Sequence, residues 1–204
     1  RTLRGLTATF GCFNEAQFDE LQFERSLSGG GMSGAPFAAC RYWIRKLQAR
    51  FFAGHYAVAV DASRHAQQLF WTTPSVIEMS DAHFYGALSH AACSDTGAAA
   101  ERQQHVQALD VHYRQLVEWA EKCCPENFQN RALLVGAEVA RIEGRELDAE
   151  RLYEGAIRSA RENGFVHIEA IANELAGRFY AGRGFERIAK AYLRDARDGY
   201  RQWG

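Results

Sequence analysis

The sequence predicts an all-α fold built from antiparallel helix pairs, and three observations carry that reading. Only three prolines interrupt 204 residues rich in Ala, Leu, Arg, Glu and Gln, types that favour helix by intrinsic propensity. Apolar residues recur at steps of three and four, as in Val106, Leu109, Tyr113, Leu116, Val117 and Ala120, which places them on one helix face. A unit of fixed spacing also returns: "GRELDAERLYEGAI" (144–157) sets alanines five and twelve residues after its glycine, and "GFERIAKAYLRDAR" (184–197) repeats the pattern.

Taken in order, the amphipathic stretches and the breakers between them predict helices near 14–27, 37–53, 55–70, 75–93, 98–122, 126–143, 146–162, 166–182 and 185–202. The segment "SLSGGGMSGAP" (26–36) reads as a flexible, low-complexity linker. Residues 1–35 are therefore expected to be an N-terminal helix with a Gly-rich linker, and 36–204 one continuous array of about four helix pairs.

The spacing encodes packing. Ala137 and Ala149 lie twelve apart across Gly144, and Gly177 and Ala189 lie twelve apart across Gly184. Small residues at these positions let the two helices of a pair approach closely, and Tyr153 and Leu193, four residues on, fill the space beside the crossing. The unit appears again in "AGHYAVAVDASRHA" (53–66), where Ala59 and Ala66 follow Gly54 at the same offsets. A copy near Gly97 fails, because Arg102 stands where the alanine belongs, and longer helices are expected there. Helical pairs with a period near forty resemble the tetratricopeptide repeat, which implies a right-handed superhelix of antiparallel helix pairs.

The totals narrow the function classes. A chain of this length buries about 70% of its unfolded surface, enough for a packed core without staples. Lysines and arginines number 24 against 25 acidic residues, a net charge of -1 that offers no general field to nucleic acid or to an anionic membrane. Neither is expected as a partner. Five cysteines (Cys12, Cys40, Cys93, Cys123, Cys124) are an odd count without metal-ligand spacing, which fits a reducing, cytoplasmic setting. No apolar run approaches the roughly 18 residues of a membrane span. Residue 1 is Arg, so the chain is expected to be a segment of a longer one.

Several phrases resemble one family. "FDELQFERSL" (18–27), "YWIRKLQARFFAGHYAVAV" (42–60), "HFYGALSHAA" (83–92), "AYLRDARDGYRQWG" (191–204) and above all 124–180, from "CPENFQNRALLVGAEVARIEG" to "ANELAGRFY", are similar to the helical-repeat region of large bacterial multidomain sensor histidine kinases. Those proteins carry serine/threonine-kinase-like and AAA-type ATPase modules before the region, and GAF or PAS sensors and a histidine kinase after it. The resemblance implies a non-catalytic scaffold for protein interaction and signal relay in two-component signalling. Its expected partners are other domains of the parent kinase or a protein or peptide; a homodimer is compatible with it. No catalytic residue and no cofactor is implied for this region.

The residues themselves supply little competing chemistry. The glycine run 29–31 leads into Met32, Ser33 and Gly34 without the lysine of a phosphate-binding loop. His83 with His90, and His105 with His112, are seven residues apart on shared faces, about 10.5 Å along the axis and too far to share one zinc. Adjacent Cys123 and Cys124 read as the small end of a helix before Pro125. Trp43, Phe84, Tyr85, Trp119, Phe179 and Tyr180 lie in helical stripes and are expected to pack.

A concave groove is where helical arrays hold partners. In the first helix of each pair, positions six before and one and four after the small packing residue are expected to face it. These are Arg41, Gln48 and Phe51 in the first pair and Arg131, Glu138 and Arg141 in the third. Glu174 and Arg178 belong to the fourth, with Ile171 and Ala181. Mixed charge with an aromatic anchor suits an extended peptide or a neighbouring domain. A peptide or small-molecule receptor using the same groove is the second reading; an enzyme is the third and lacks any cofactor fingerprint.

Overall fold

A computed structural model describes residues 2–28, 36–73, 76–96 and 98–204. Among them the chain forms nine α-helices: α1 Glu20–Ser28, α2 Pro36–Phe52, α3 Tyr56–Gln67, α4 Val76–Ser94, α5 Ala99–Lys122, α6 Pro125–Ile142, α7 Glu146–Glu162, α8 Val166–Gly182 and α9 Glu186–Trp203. Two short 3-10 turns, Thr2–Arg4 and Phe70–Thr72, complete the helical structure. The all-α expectation holds, and the β structure among the described residues is one isolated bridge, Glu15 to Phe18. The linker glycines 29–31, with residues to 35, and Gly97 lie outside the described residues.

The first helix is shorter than its sequence suggests. It was expected from residue 14 but begins at Glu20, because polar side chains close the preceding turn. Asn14 Oδ1 accepts the Glu20 amide at 2.7 Å, and Asp19 Oδ1 accepts the Gln22 amide at 2.8 Å as an N-cap. The third helix also stops early, at Gln67, and the chain continues through the 3-10 turn at 70–72.

One turn recurs at four places. Gly54, Gly144, Gly164 and Gly184 have φ between 73 and 81°, the left-handed region in which a Cβ is strained. At each, the glycine amide donates to the carbonyl three residues back, as Gly144 does to Arg141 at 3.1 Å. The next amide donates to the carbonyl five back, as Arg145 does to Ala140 at 2.9 Å. The residue after the glycine then opens the next helix: His55, Arg145, Phe165 and Phe185 share φ near −85° and ψ of 60–69°. Two helices joined so tightly must run antiparallel.

The spaced small residues sit where these hairpins cross. Ala59, Ala66, Ala149, Ala156, Ala189 and Ala196 are at most 2% exposed. α8 and α9 approach closely at Gly177, where a Cβ would stand 2.8 Å from Leu193 Cγ and 3.3 Å from the Ala189 carbonyl oxygen.

The chain divides into two compact units, residues 1–108 and 109–204, with the divide inside α5. α5 is the longest helix, as the failed repeat near Gly97 implied. In the first unit α2 and α3 form a hairpin and α4 packs on both. Its core contains Trp43, Ile44, Leu47, Val60, Phe84, Tyr85 and Leu88. In the second unit α6 pairs with α7 and α8 with α9, and α8 rests on α7 and α6. Its core contains Leu134, Val135, Tyr153, Ile168, Ile171 and Phe179, each worth about 1.5–3 kcal/mol of transfer free energy when buried.

Candidate functional site

The residues expected to line a groove fall into two groups. Arg41 and Arg178 are exposed and Arg141 and Glu174 partly so, whereas Gln48, Phe51, Arg131 and Glu138 are buried.

Glu138 is the centre of the buried group in the second unit. One of its oxygens, Oε2, accepts hydrogen bonds from Arg141 Nε and Nη2 at 3.0 and 2.9 Å, and Oε1 accepts the Tyr153 hydroxyl from α7. Tyr153 is itself 1% exposed; burial first, and then the negative charge of Glu138, push its pKa far above that of an ordinary phenol. It stays a donor at any physiological pH. Glu138 is therefore turned toward its own hairpin partner. Arg131 lies two turns earlier on α6, donating to the Asn127 carbonyl at 2.7 Å with its guanidinium 5.2 Å from the ring of Phe165, beside the Gly164 turn.

A second carboxylate, 36 residues along, holds a tyrosine and an arginine in the open. Glu174 accepts the Tyr200 hydroxyl of α9 at 2.5 Å and also pairs with Arg178, whose side chain remains half exposed. An open cleft lies beside it, lined by Glu174, Leu193, Ala196, Arg197, Tyr200 and Arg201.

In the first unit, Gln48 donates to the Tyr85 hydroxyl at 3.1 Å, and Phe51 packs among Phe52, Tyr56 and Tyr85. Arg41 pairs with Glu78 of α4 at 2.9 Å. At Gln48 and Phe51 the side of α2 expected to face a partner thus faces α4, because neighbouring first helices touch there, while Arg41 stays half exposed at its edge.

Two polar clusters join residues that spacing in the sequence does not pair with one another. In the first, Glu20 accepts bonds from the Phe13 amide at 3.0 Å, Cys12 Sγ at 3.3 Å, Lys46 at 3.0 Å and Arg50 at 2.6 Å, while Glu24 accepts Tyr42 at 2.5 Å and pairs with Lys46. Burial alone would raise the Glu20 pKa; the four donors outweigh it and bring it to about 2. Its sequence signal was available: Tyr42, Lys46 and Arg50 stand four apart on a helix whose neighbouring positions are apolar. The second cluster joins α4 to α5, with His90 Nδ1 2.9 Å from His105 Nδ1. Burial, then His105 and Arg64, lower the His90 pKa to about 4; burial does the same to His83. No spacing rule could have matched residues fifteen apart on different helices.

Other candidate chemistry resolves into packing or local bonds. Of the six aromatic residues expected to pack, Trp43, Phe84, Tyr85, Trp119 and Phe179 are buried and Tyr180 is partly exposed, stacked on Tyr192 at 5.4 Å. Cys124 donates to Glu126 at the start of α6, and the five cysteines are free thiols. Among the described residues no three or more His, Cys, Asp or Glu side chains gather as a metal would require, and no helix is long and apolar enough to cross a membrane.

Neither a family model, nor a curated protein, nor a solved structure matches the chain.

Proposed function

We propose that the chain is a non-catalytic scaffold for protein interaction and signal relay, its helix pairs wound as tetratricopeptide-like repeats in a right-handed superhelix. The observation that carries this reading is the recurrence of one backbone turn at Gly54, Gly144, Gly164 and Gly184, with buried alanines at matching offsets after three of the four. A unit that repeats in backbone and in packing makes an extended surface from nearest-neighbour contacts. The setting, a cytoplasmic region of a bacterial sensor kinase that couples an ATPase module to kinase modules, is supported by the resemblance of residues 124–180.

The exposed charges, not the buried ones, are the groups available to a partner. Regulation is expected to run through Arg41 and Arg178, whose side chains are each 53% exposed. The test is autophosphorylation of the kinase containing this chain, with and without nucleotide at its ATPase module. Arg41→Ala and Arg178→Ala should each weaken the nucleotide response while basal activity and helical circular dichroism are kept. A response that survives deletion of residues 36–204 would sink the reading.

A further inference from the structure

The repeat register of the second unit assigns a partner to a face of α9. On α7, Tyr153, Ile157 and Ala160 are all at most 6% exposed, and Tyr153 meets α8 with its ring 5.4 Å from that of Phe179. Ion pairs fix the two ends of that contact: Arg161 of α7 holds Glu169 in the first turn of α8 at 2.8 Å, and Glu146 and Glu150 hold Arg183 just past its end.

Gly184, Ala189 and Ala196 stand forty residues after Gly144, Ala149 and Ala156, so each α7 position has a counterpart on α9. Tyr153 corresponds to Leu193, Ile157 to Arg197 and Ala160 to Tyr200, three residues of the open cleft. Leu193 is 40% exposed where Tyr153 is 1% exposed. The face persists in register; α8 flanks it through the Tyr200–Glu174 hydrogen bond and the approach of Gly177 to Leu193, and the rest of it is open.

Charge selects the occupant. α7 carries five acidic and three basic residues; α9 carries three acidic and five basic. At one end Arg201 repeats Arg161, with its side chain 72% exposed and 3.8 Å from Asp198, a contact loose enough to yield to a carboxylate of a docked helix. At the other, Lys190 replaces Glu150, although Glu186 keeps the charge of Glu146. A helix seated here as α8 is on α7 meets a cation at each end, whereas α8 itself bridges one cation and two carboxylates.

We propose that this face of α9 docks an amphipathic helix with an acidic residue near each end, in the register that α8 takes on α7. The apolar side of the occupant covers Leu193 and the carbon stem of Arg197; its first-turn carboxylate meets Arg201 and its last-turn carboxylate meets Lys190. This docking stands apart from the kinase setting proposed above, since it is a property of the isolated chain.

The probe is a fluorescein-labelled peptide of residues 164–184 carrying Arg183→Glu, titrated with the whole protein at 0.15 M salt and followed by anisotropy. Saturable binding is expected. Leu193→Asp should weaken it about tenfold and Arg201→Glu about fivefold, the latter regained when the peptide carries Glu169→Arg. Arg201 and Lys190 are exposed and their variants keep the fold. Leu193 also approaches Gly177 of α8, so circular dichroism and thermal unfolding check Leu193→Asp, and Leu193→Ala, which keeps the crossing apolar, should weaken binding in the same direction. Lys190→Glu should weaken the probe while favouring the peptide with Arg183 retained. No saturable binding, or binding indifferent to Leu193→Asp and Arg201→Glu, overturns the proposal. So does a dimer in sedimentation equilibrium that Leu193→Asp converts to monomer, since the occupant would then be a second copy of this chain.

Discussion

A buried carboxylate is tolerable only when its lone pairs are taken, and at Glu138 both oxygens are: Arg141 holds one and Tyr153 the other. Removing the acid strands both donors. Glu138→Ala is expected to cost about 3 kcal/mol in urea unfolding, and Tyr153→Phe only about 1 kcal/mol, because Arg141 still satisfies the carboxylate. Equal losses for the two variants would show that the tyrosine hydroxyl, not the ion pair, dominates. The titrating groups add a pH dependence in two windows. His83 and His90 have folded pKa values near 4, below the ordinary value of 6.5, so the unfolded chain binds more protons as pH falls from 6.5 toward 4. Their neutral burial stabilises fully above that window and is lost through it, about 2 kcal/mol each by pH 5. Glu20, depressed from 4.5 to about 2, acts later in the same direction: its contribution is complete above 4.5 and fades toward pH 2. Allowing for solvent screening, it is on the order of 1–2 kcal/mol. Chemical unfolding at pH 7.5 and pH 5 should therefore differ, with His83→Leu and His90→Leu each removing about half of the difference; an unchanged difference would place the acid sensitivity elsewhere.

At the scale of elements, the glycine turns are where sequence and structure agree most closely. Their bonds reach only three and five residues back, so local order specifies them, and spacing marks three of the four; Gly164 has Glu169 where the alanine belongs and shows only as a break between helices. Among the described residues, nothing lies within 4 Å of where a Cβ would stand at Gly144, Gly164 or Gly184. Alanine there meets no clash, only an unfavourable backbone region, and each Gly→Ala change should lower stability by about 1 kcal/mol, with Asn costing less. A Gly144→Ala protein as stable as the parent would mean that the turn relaxes. The start of α1 was not legible, because Asn14 reaches over six residues to hold the Glu20 amide and so ends the approach to the helix in a polar turn. The groove residues were half legible for a related reason. Spacing places Gln48 and Glu138 on a face but does not say which neighbouring helix covers it, and Tyr85 and Tyr153 already occupy that space.

For the whole molecule, the informative fact is that each unit carries its own buried set, with Leu47, Val60 and Tyr85 in one and Leu134, Tyr153 and Ile168 in the other. In the proposed repeat array stability is local, governed by the contacts of each helix with its neighbours in sequence. Overpacking a helix crossing should then loosen nearby amides first. Ala59 and Ala149 are equivalent positions of the repeat, both fully buried, and leucine at either adds volume that the crossing cannot absorb, at about 1–3 kcal/mol. Hydrogen exchange read by mass spectrometry should show Ala59→Leu raising exchange through α2 and α3 before α8 and α9 respond. Ala149→Leu should do so through α6 and α7 before α2. Uniform acceleration along the chain by either variant would instead describe a single cooperative unit. In that case the repeat would be a packing pattern without local autonomy, and a relay that works by passing strain from pair to pair would lose its physical basis.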